Sequence, residues 1–386
     1  MLWYDLAGDD TDRPDRASAT QPVNTVGLKR CWDSPAYSGS GPEVDVNIVN
    51  VAVMAPILGA DLSYVTDVDA RVRALDANHA TGDSRHGLPG QALATDRVSD
   101  ILAVADVLLV GYPVAGRLAG LAPQLAWAHH TQAGVSNLAG SDLWTSPVTL
   151  TTSRGVVGAT AIAEYVMAAA SHFARGLQEG TRQKRDGVFT TDGYELISLH
   201  GATMGILGLG GIGQEVARLS RAAGMRVIAT RRSAGSPATD TDGADLVLPA
   251  DRILQVAAES DFLAVCSQLT PETRGLVGDR VFAAMKPGAV LINIARGEEV
   301  DEDALIAAVT AGRIRGAVLD VYDGELADRP PRAELVDLPQ ILLTPHIAAR
   351  GDPGLAEPIR RLFAENLRRF LDNRPLLNVV DRDRGY

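Results

Sequence analysis

Cysteine is almost missing from this chain: Cys31 and Cys266 are the two among 386 residues. Two thiols so far apart build neither a disulfide framework nor a CxxC zinc site. A surplus of positive charge is missing as well. Lys and Arg number 36 against 48 Asp and Glu, a formal net charge of −12. With no long Lys/Arg block, that balance argues against a general nucleic-acid or anionic-membrane binder, while leaving room for a local basic pocket. No apolar run approaches the ~18 residues of a membrane span. The opening MLWYDLAGDDTDRPDR lacks the basic-then-apolar layout of a signal peptide, and no His, Cys, Asp and Glu set takes metal-ligand spacing. The expectation is a soluble, cytoplasmic protein.

Hydrophobic residues make up 46% and charged residues 22%, ordinary proportions for a globular chain with enough length for two domains. Residues 1–44 stand apart. They are rich in Asp, Ser, Gly, Pro and Thr, and Trp3, Tyr4 and Trp32 fall in no sustained period, so they read as an extension, loosely ordered or draped on the surface. From Val46 the run VNIVNVAVM opens an alternation of strand and helix patterns. A helix is predicted over 67–77, buried strands over 101–110 and 125–129, and a long Ala-rich buried helix over 159–175. A second series runs over 202–345, and 355–371 has amphipathic helical spacing that packs back on the first unit. Short apolar strands between helical patterns predict α/β architecture, with parallel sheets covered by helices on both faces. There is no internal repeat.

The sharpest local signal is TMGILGLGGIG over 203–213. A short apolar strand precedes it, an amphipathic helix follows, Gly224 ends that helix, and a second strand runs over 226–230. This is the frame of a dinucleotide site. Gly208 permits the tight turn, Gly210 lets a pyrophosphate approach the backbone at Gly211 and Ile212, and Gly213 lets helix and strand pack closely. The phosphates then face the positive end of the helix. An NAD site usually ends its second strand on Asp or Glu to take the ribose 2′-hydroxyl. Here that place holds Arg231, then Arg232 and Ser233, with no carboxylate before Asp240. Guanidinium groups suit a 2′-phosphate, so NADP(H) is favoured over NAD(H).

Three later segments end strands of the same series: GAVLINIARGEEVD puts Arg296 there, RGAVLDVYDGE puts Glu325, and QILLTPHIAA puts His346. Residues just past parallel strand ends converge on the dinucleotide crevice. An arginine there anchors a carboxylate and polarises the neighbouring carbonyl. A histidine delivers the proton that ketone reduction needs, and a carboxylate orients the ring and favours its charged form.

On these motifs the chain resembles the D-2-hydroxyacid dehydrogenase family. The likeness runs through GILGLGGIGQEVARL, LTPETRGLVG, MKPGAVLINIARGEEVDEDALIAAV, GAVLDVY and LTPHI, and more weakly through HHTQAGVSNL, LTTSRGVVGATAIAEYVMA, ENLRRFL and LLNVVD, covering essentially everything from Val46 onward. It implies a flavodoxin-like substrate domain built from 45–153 plus 350–386, a Rossmann cofactor domain over 154–349, and a homodimer built on the cofactor domains. Arg296, Glu325 and His346 match the family's catalytic triad, and Asp320 matches the position that meets the nicotinamide carboxamide. Cys266, Thr273, Ile294 and Ala295 fall along the cofactor-side loops. Backbone amides near Gly111, Tyr112 and Gly134 would take the substrate carboxylate. The implied activity interconverts a 2-oxoacid and a D-2-hydroxyacid. Formate or phosphite oxidation on the same scaffold and a dinucleotide-sensing corepressor are the alternatives; Glu325 stands where the formate enzymes carry Gln. Two departures lie beside the cleft: Leu326 follows Glu325 where proline is usual, and Gln268 replaces the proline of an LPLTPET run. The remaining histidines read as packed or loop residues, with His129 and His130 closest to a substrate loop.

Overall fold

In a computed structural model, the described residues are 48–78, 96–112, 114–156, 158–325, 329–351, 354–383 and 385. The N-terminal extension with Trp3, Tyr4, Cys31 and Trp32, and also His79, His86 and Leu326, lie outside them. Five parallel strands form the first sheet: β1 (Val49–Met54), β2 (Val72–Asp76), β3 (Val107–Val110), β4 (Trp127–His130) and β5 (Thr149–Thr152), in the order β2-β1-β3-β4-β5. Eight strands form the second: β6 (Thr203–Leu207), β7 (Arg226–Arg231), β8 (Ala238–Thr241), β9 (Ala244–Pro249), β10 (Phe262–Val265), β11 (Val290–Asn293), β12 (Gly316–Leu319) and β13 (Ile341–Leu343). Their order is β13-β12-β11-β10-β6-β7-β9-β8, parallel except for the β8–β9 hairpin. The chain reverses winding direction between β6 and β10, which is where doubly wound sheets open a crevice beyond their carboxyl ends.

Burial explains the composition of these strands. β3, β4, β6, β10, β11 and β12 are buried at every position, because helices cover both faces. Each sheet accordingly carries two apolar clusters, one per face. The Ala-rich helix Ala159–Ala174 buries Ile162, Ala163, Val166, Ala170 and Phe173 against the second sheet. Its burial is not all-round as the sequence suggests: Thr160, Glu164 and Ala168, four residues apart, form an exposed stripe. Small side chains elsewhere on it let it pack close to the helix Gly211–Ala222.

The terminal helix Ala356–Leu371 returns to the first sheet. Ile359, Phe363 and Leu367, four residues apart on one face, are buried against Val51, Val53, Val107 and Leu109. Phe363 stacks on the buried Trp127 ring with centroids 5.1 Å apart. The segment after the helix closes the β5 edge, with Val380 N–H donating to the Leu150 carbonyl at 2.8 Å.

Two sequence expectations fail in the first sheet. Residues 67–77 are not a helix: they hold β2, which pairs with β1 from Val49 opposite Val72 to Val53 opposite Asp76. A sheet edge needing a partner outweighs a weak helical period. The 101–110 run is not one strand but the end of the helix Asp96–Ala103 followed by β3, two elements whose apolar faces abut in sequence. Among the described residues, no helix is long and apolar enough to cross a membrane.

Replacing Phe363 with Ala removes a ring from the Trp127 stack inside a closed interface. Denaturant unfolding is expected to show a loss of about 3–5 kcal/mol, whereas Arg361→Ala, on the exposed face of the same helix, leaves stability within about 0.5 kcal/mol.

Candidate functional site

The turn after β6 is shaped by what its glycines exclude. Gly208 has φ of 101°, and a Cβ there would sit 2.8 Å from the Ser267 backbone. A Cβ on Gly213 would collide with the Gly208 carbonyl oxygen. At Gly210 the space is open, with no atom within 4 Å of the Cβ position. No side chain caps the helix Gly211–Ala222, so the N–H groups of Gly211, Ile212 and Gly213 end the helix without intrahelical partners. A tight turn, open space over one glycine and an uncapped helix start fit a dinucleotide pyrophosphate.

The strand-end residues differ in placement. Arg231 is half-buried, its Nε donating to the Leu209 carbonyl at 3.2 Å and its Nη1 paired with Asp242 at 2.5 Å. Arg232 and Ser233 are exposed. The sequence reading missed Asp242, since a hairpin rather than the strand end delivers it; the Asp-Gly pair between two strand patterns was the available signal.

Along the neighbouring strand ends, Cys266 follows β10 and donates its N–H to Leu207 O at 2.8 Å. Burial pushes its thiol up to about 12, so it is no thiolate nucleophile. The Thr273 hydroxyl donates to Gln268 O and accepts from Thr270 N, both at 2.7 Å, bracing the loop that contains the unusual Gln268. Ile294 and Ala295 are buried just after β11.

Arg296, Glu325 and His346 are brought to the same edge of the sheet. His346 Nδ1 lies 3.0 Å from Glu325 Oε1. The imidazole is 39% exposed and the carboxylate only 9%, so the acid sits behind the ring and the ring faces solvent. His346 has φ of 53°, a left-handed backbone that costs a non-glycine residue about 1–2 kcal/mol. Asp320 holds it there. This buried carboxylate accepts Thr344 Oγ1 at 2.6 Å and Ile347 N at 2.8 Å on one oxygen, and Ala348 N at 2.9 Å on the other. The motif match alone did not reveal this clamp.

Arg296 reaches across to the first sheet's loops. Its Nε donates to Ser136 Oγ at 2.8 Å and its Nη1 to Ala295 O at 2.6 Å. A Cβ on Gly134 would lie 2.5 Å from Arg296 Nη2, so glycine there is a condition of the contact. Gly111, after β3, donates to Met54 O at 2.8 Å. Tyr112 follows it, 44% exposed, with its ring centroid 6.2 Å from that of His346. Tyr112 and Gly134 thus stand beside the triad, whereas the Gly111 amide, expected from the sequence to meet a substrate carboxylate, is already committed to the β1 strand end. His129 and His130 are core residues: burial pulls their rings down to about 3 and about 4. His129 bonds Thr151 and Ser153 at 2.7 and 3.0 Å, and His130 Nδ1 meets Val110 O at 3.2 Å.

Glu299 escaped the sequence reading entirely. It is fully buried three residues after Arg296, one oxygen accepting the Ser267 hydroxyl and the other without a partner. Burial raises its carboxyl to about 7, partly offset by Ser267 and Arg296.

Residues 155–348 match the family model for the D-isomer specific 2-hydroxyacid dehydrogenase, NAD binding domain. A glyoxylate reductase of Thermococcus onnurineus is 32% identical over 300 residues, covering 74% of this chain and 86% of that one. A D-3-phosphoglycerate dehydrogenase of Methanocaldococcus jannaschii is 29% identical over 299 residues, and the match spans 75% of this chain but only 54% of that longer one. Among solved structures, a D-isomer specific 2-hydroxyacid dehydrogenase from Xanthobacter autotrophicus Py2, in complex with NADPH and MES, superposes with a TM-score of 0.69 at 27% identity, covering 88% of this chain and 100% of that one.

Glu299 carries a pH signature. Its folded value of about 7 lies above the ordinary 4.5, so folding forfeits stability as pH rises from 4.5 through 7 and none below that window. Glu299→Gln keeps an acceptor for Ser267 and removes the titration. Thermal unfolding is expected to show Tm higher than wild type by about 3–6 °C at pH 8, with the difference vanishing as pH falls toward 4.5.

Proposed function

Because the chain belongs to the D-isomer specific 2-hydroxyacid dehydrogenase family, we propose that it reduces a 2-oxoacid to a D-2-hydroxyacid, preferring NADPH as the reductant. The observation that carries this reading is the His346–Glu325 pair, 3.0 Å apart at the mouth of the crevice beyond β12 and β13. When bound, the nicotinamide cofactor supplies a hydride to the substrate's carbonyl carbon; the protein's own side chains supply the rest.

Arg296 binds the oxoacid carboxylate and draws electron density from its carbonyl oxygen. Its Ser136 bond and the close approach of Gly134 fix the guanidinium before substrate arrives, so little ordering remains to be done on binding. With Nδ1 engaged by Glu325, Nε2 of His346 is the nitrogen that transfers the proton to the alkoxide oxygen. Glu325 is nearly buried, so its hydrogen bond fixes the orientation of the imidazole. Tyr112 and the Gly111 backbone close the opposite wall. Asp320, with both oxygens engaged, serves by holding the His346 loop. On the dinucleotide side, the glycine turn takes the pyrophosphate, and Arg231, Arg232 and Ser233 favour a 2′-phosphate.

In this reading residues 45–153 with 350–386 form the substrate domain, and 154–349 the cofactor domain. The active unit is a homodimer. Leu177, Val188, Phe189 and Leu196 are apolar and about half or more exposed, Phe189 at 85%, and a second copy would cover them.

The test is oxidation of NADPH and NADH, followed by absorbance, against glyoxylate, pyruvate, hydroxypyruvate, phenylpyruvate and longer 2-oxoacids. Turnover with NADPH exceeding that with NADH is expected for one or two acids. His346→Ala should lower kcat by about 10²–10⁴-fold with dinucleotide binding unchanged, and Arg296→Ala should both raise KM and lower kcat. Wild-type protein that binds dinucleotide but turns over none of the acids would overturn the assignment. Sedimentation of Phe189→Asp, expected to shift toward monomer, tests the dimer.

A further inference from the structure

The hairpin at the far edge of the second sheet brings carboxylates to a site whose own strand end has none. β8 and β9 pair antiparallel with Thr241 opposite Ala244, leaving Asp242 and Gly243 as a two-residue turn. Both have positive φ, 51° and 81°, the type I′ geometry that Asp-Gly adopts readily. The turn is set against the dinucleotide helix: a Cβ on Gly243 would lie 3.6 Å from both Ala217 Cβ and Arg218 N. Three aspartates surround it, with two destinations. Asp240 and Asp245 face Arg221 at 2.9 and 3.7 Å. Asp242 alone meets Arg231, at 2.5 Å.

Arg231 is therefore held from two sides, by the Leu209 carbonyl of the glycine turn and by the Asp242 carboxylate. Its charge is already answered by an anion before any dinucleotide binds. We propose that Asp242 is a cofactor-selectivity residue, which supplies from the hairpin turn the carboxylate missing from the end of β7 and restrains Arg231 from a 2′-phosphate. The inference rests on the dinucleotide reading above and refines it. A 2′-phosphate arriving at Arg231 must displace Asp242 and then remain beside that carboxylate, a like-charge neighbour. A free ribose 2′-hydroxyl meets no such conflict; it donates to Asp242 while the ion pair stays closed. Arg231, Arg232 and Ser233 pull toward NADPH, Asp242 pulls back, and NADH remains a usable cofactor. Both partners of the pair are partly exposed, so the restraint is screened by salt.

Direct binding of NADPH and of NADH, by quenching of intrinsic fluorescence at low salt, tests this without catalysis. Asparagine tolerates positive φ, so Asp242→Asn keeps the turn. It is expected to raise the ratio Kd(NADH)/Kd(NADPH) about five- to tenfold, a gain that shrinks as salt rises. Asp240→Asn, which removes a charge from the same hairpin but faces Arg221, should leave the ratio within about twofold of wild type. A ratio unmoved by Asp242→Asn, while Arg231→Ala weakens NADPH, overturns the inference and spares the NADPH reading. An equal shift in Asp240→Asn also overturns it, by showing general hairpin charge at work. A ratio unmoved by both Asp242→Asn and Arg231→Ala removes the NADPH reading as well.

Discussion

A buried carboxylate decides where the His346 imidazole stands. Asp320 follows the fully buried β12, and its oxygens accept three hydrogen bonds from the loop that follows β13. Leaving such a group unpaired in the interior would cost several kcal/mol, so loop and carboxylate are bound to one arrangement. That arrangement forces the backbone of His346 into left-handed conformation and turns its ring toward Glu325. The Tyr165 hydroxyl meets Thr344 Oγ1 at 2.5 Å, tying the same loop to the Ala-rich helix. Strain at the histidine is thus sustained by the hydrogen bonds that hold its loop.

Close approach is the second theme. The site is assembled from loops at the ends of parallel strands, and the strands bring those loops nearer than ordinary side chains allow. Gly208 against Ser267, Gly213 against Gly208 and Gly134 against Arg296 are all contacts that a single added carbon would break or displace. Gly297, beside Arg296, likewise sits against the backbone of Tyr322 and Asp323. Glycine in this molecule is a spacing device at the crevice.

Charge is treated in opposite ways on the two sides of the crevice. Beside the first sheet's loops, Arg296 is given neutral hydrogen-bond partners, Ser136 and the Ala295 carbonyl. At the end of β7, Arg231 is given an anion. Glu299, three residues after Arg296, is fully buried, and that burial raises its carboxyl to about 7.

Much of this was legible without coordinates. The glycine spacing, the three strand-end residues and the alternation of apolar runs follow from local chemistry: a tight turn needs glycine, and buried parallel strands need continuous apolar runs. Those constraints act over a few residues and leave their mark in order. What the sequence could not settle depends on partners distant in the chain. β2 reads as helix until β1 offers it an edge, and His129, which lies next to a substrate loop in sequence, is turned into the core by Thr151 and Ser153. Asp320 is tied to a loop more than twenty residues away, Glu299 to Ser267 across two strands, and Asp242 to Arg231 through a hairpin turn. Each is an electrostatic or hydrogen-bond pairing between segments, and only tertiary structure decides which polar groups share a low-dielectric space.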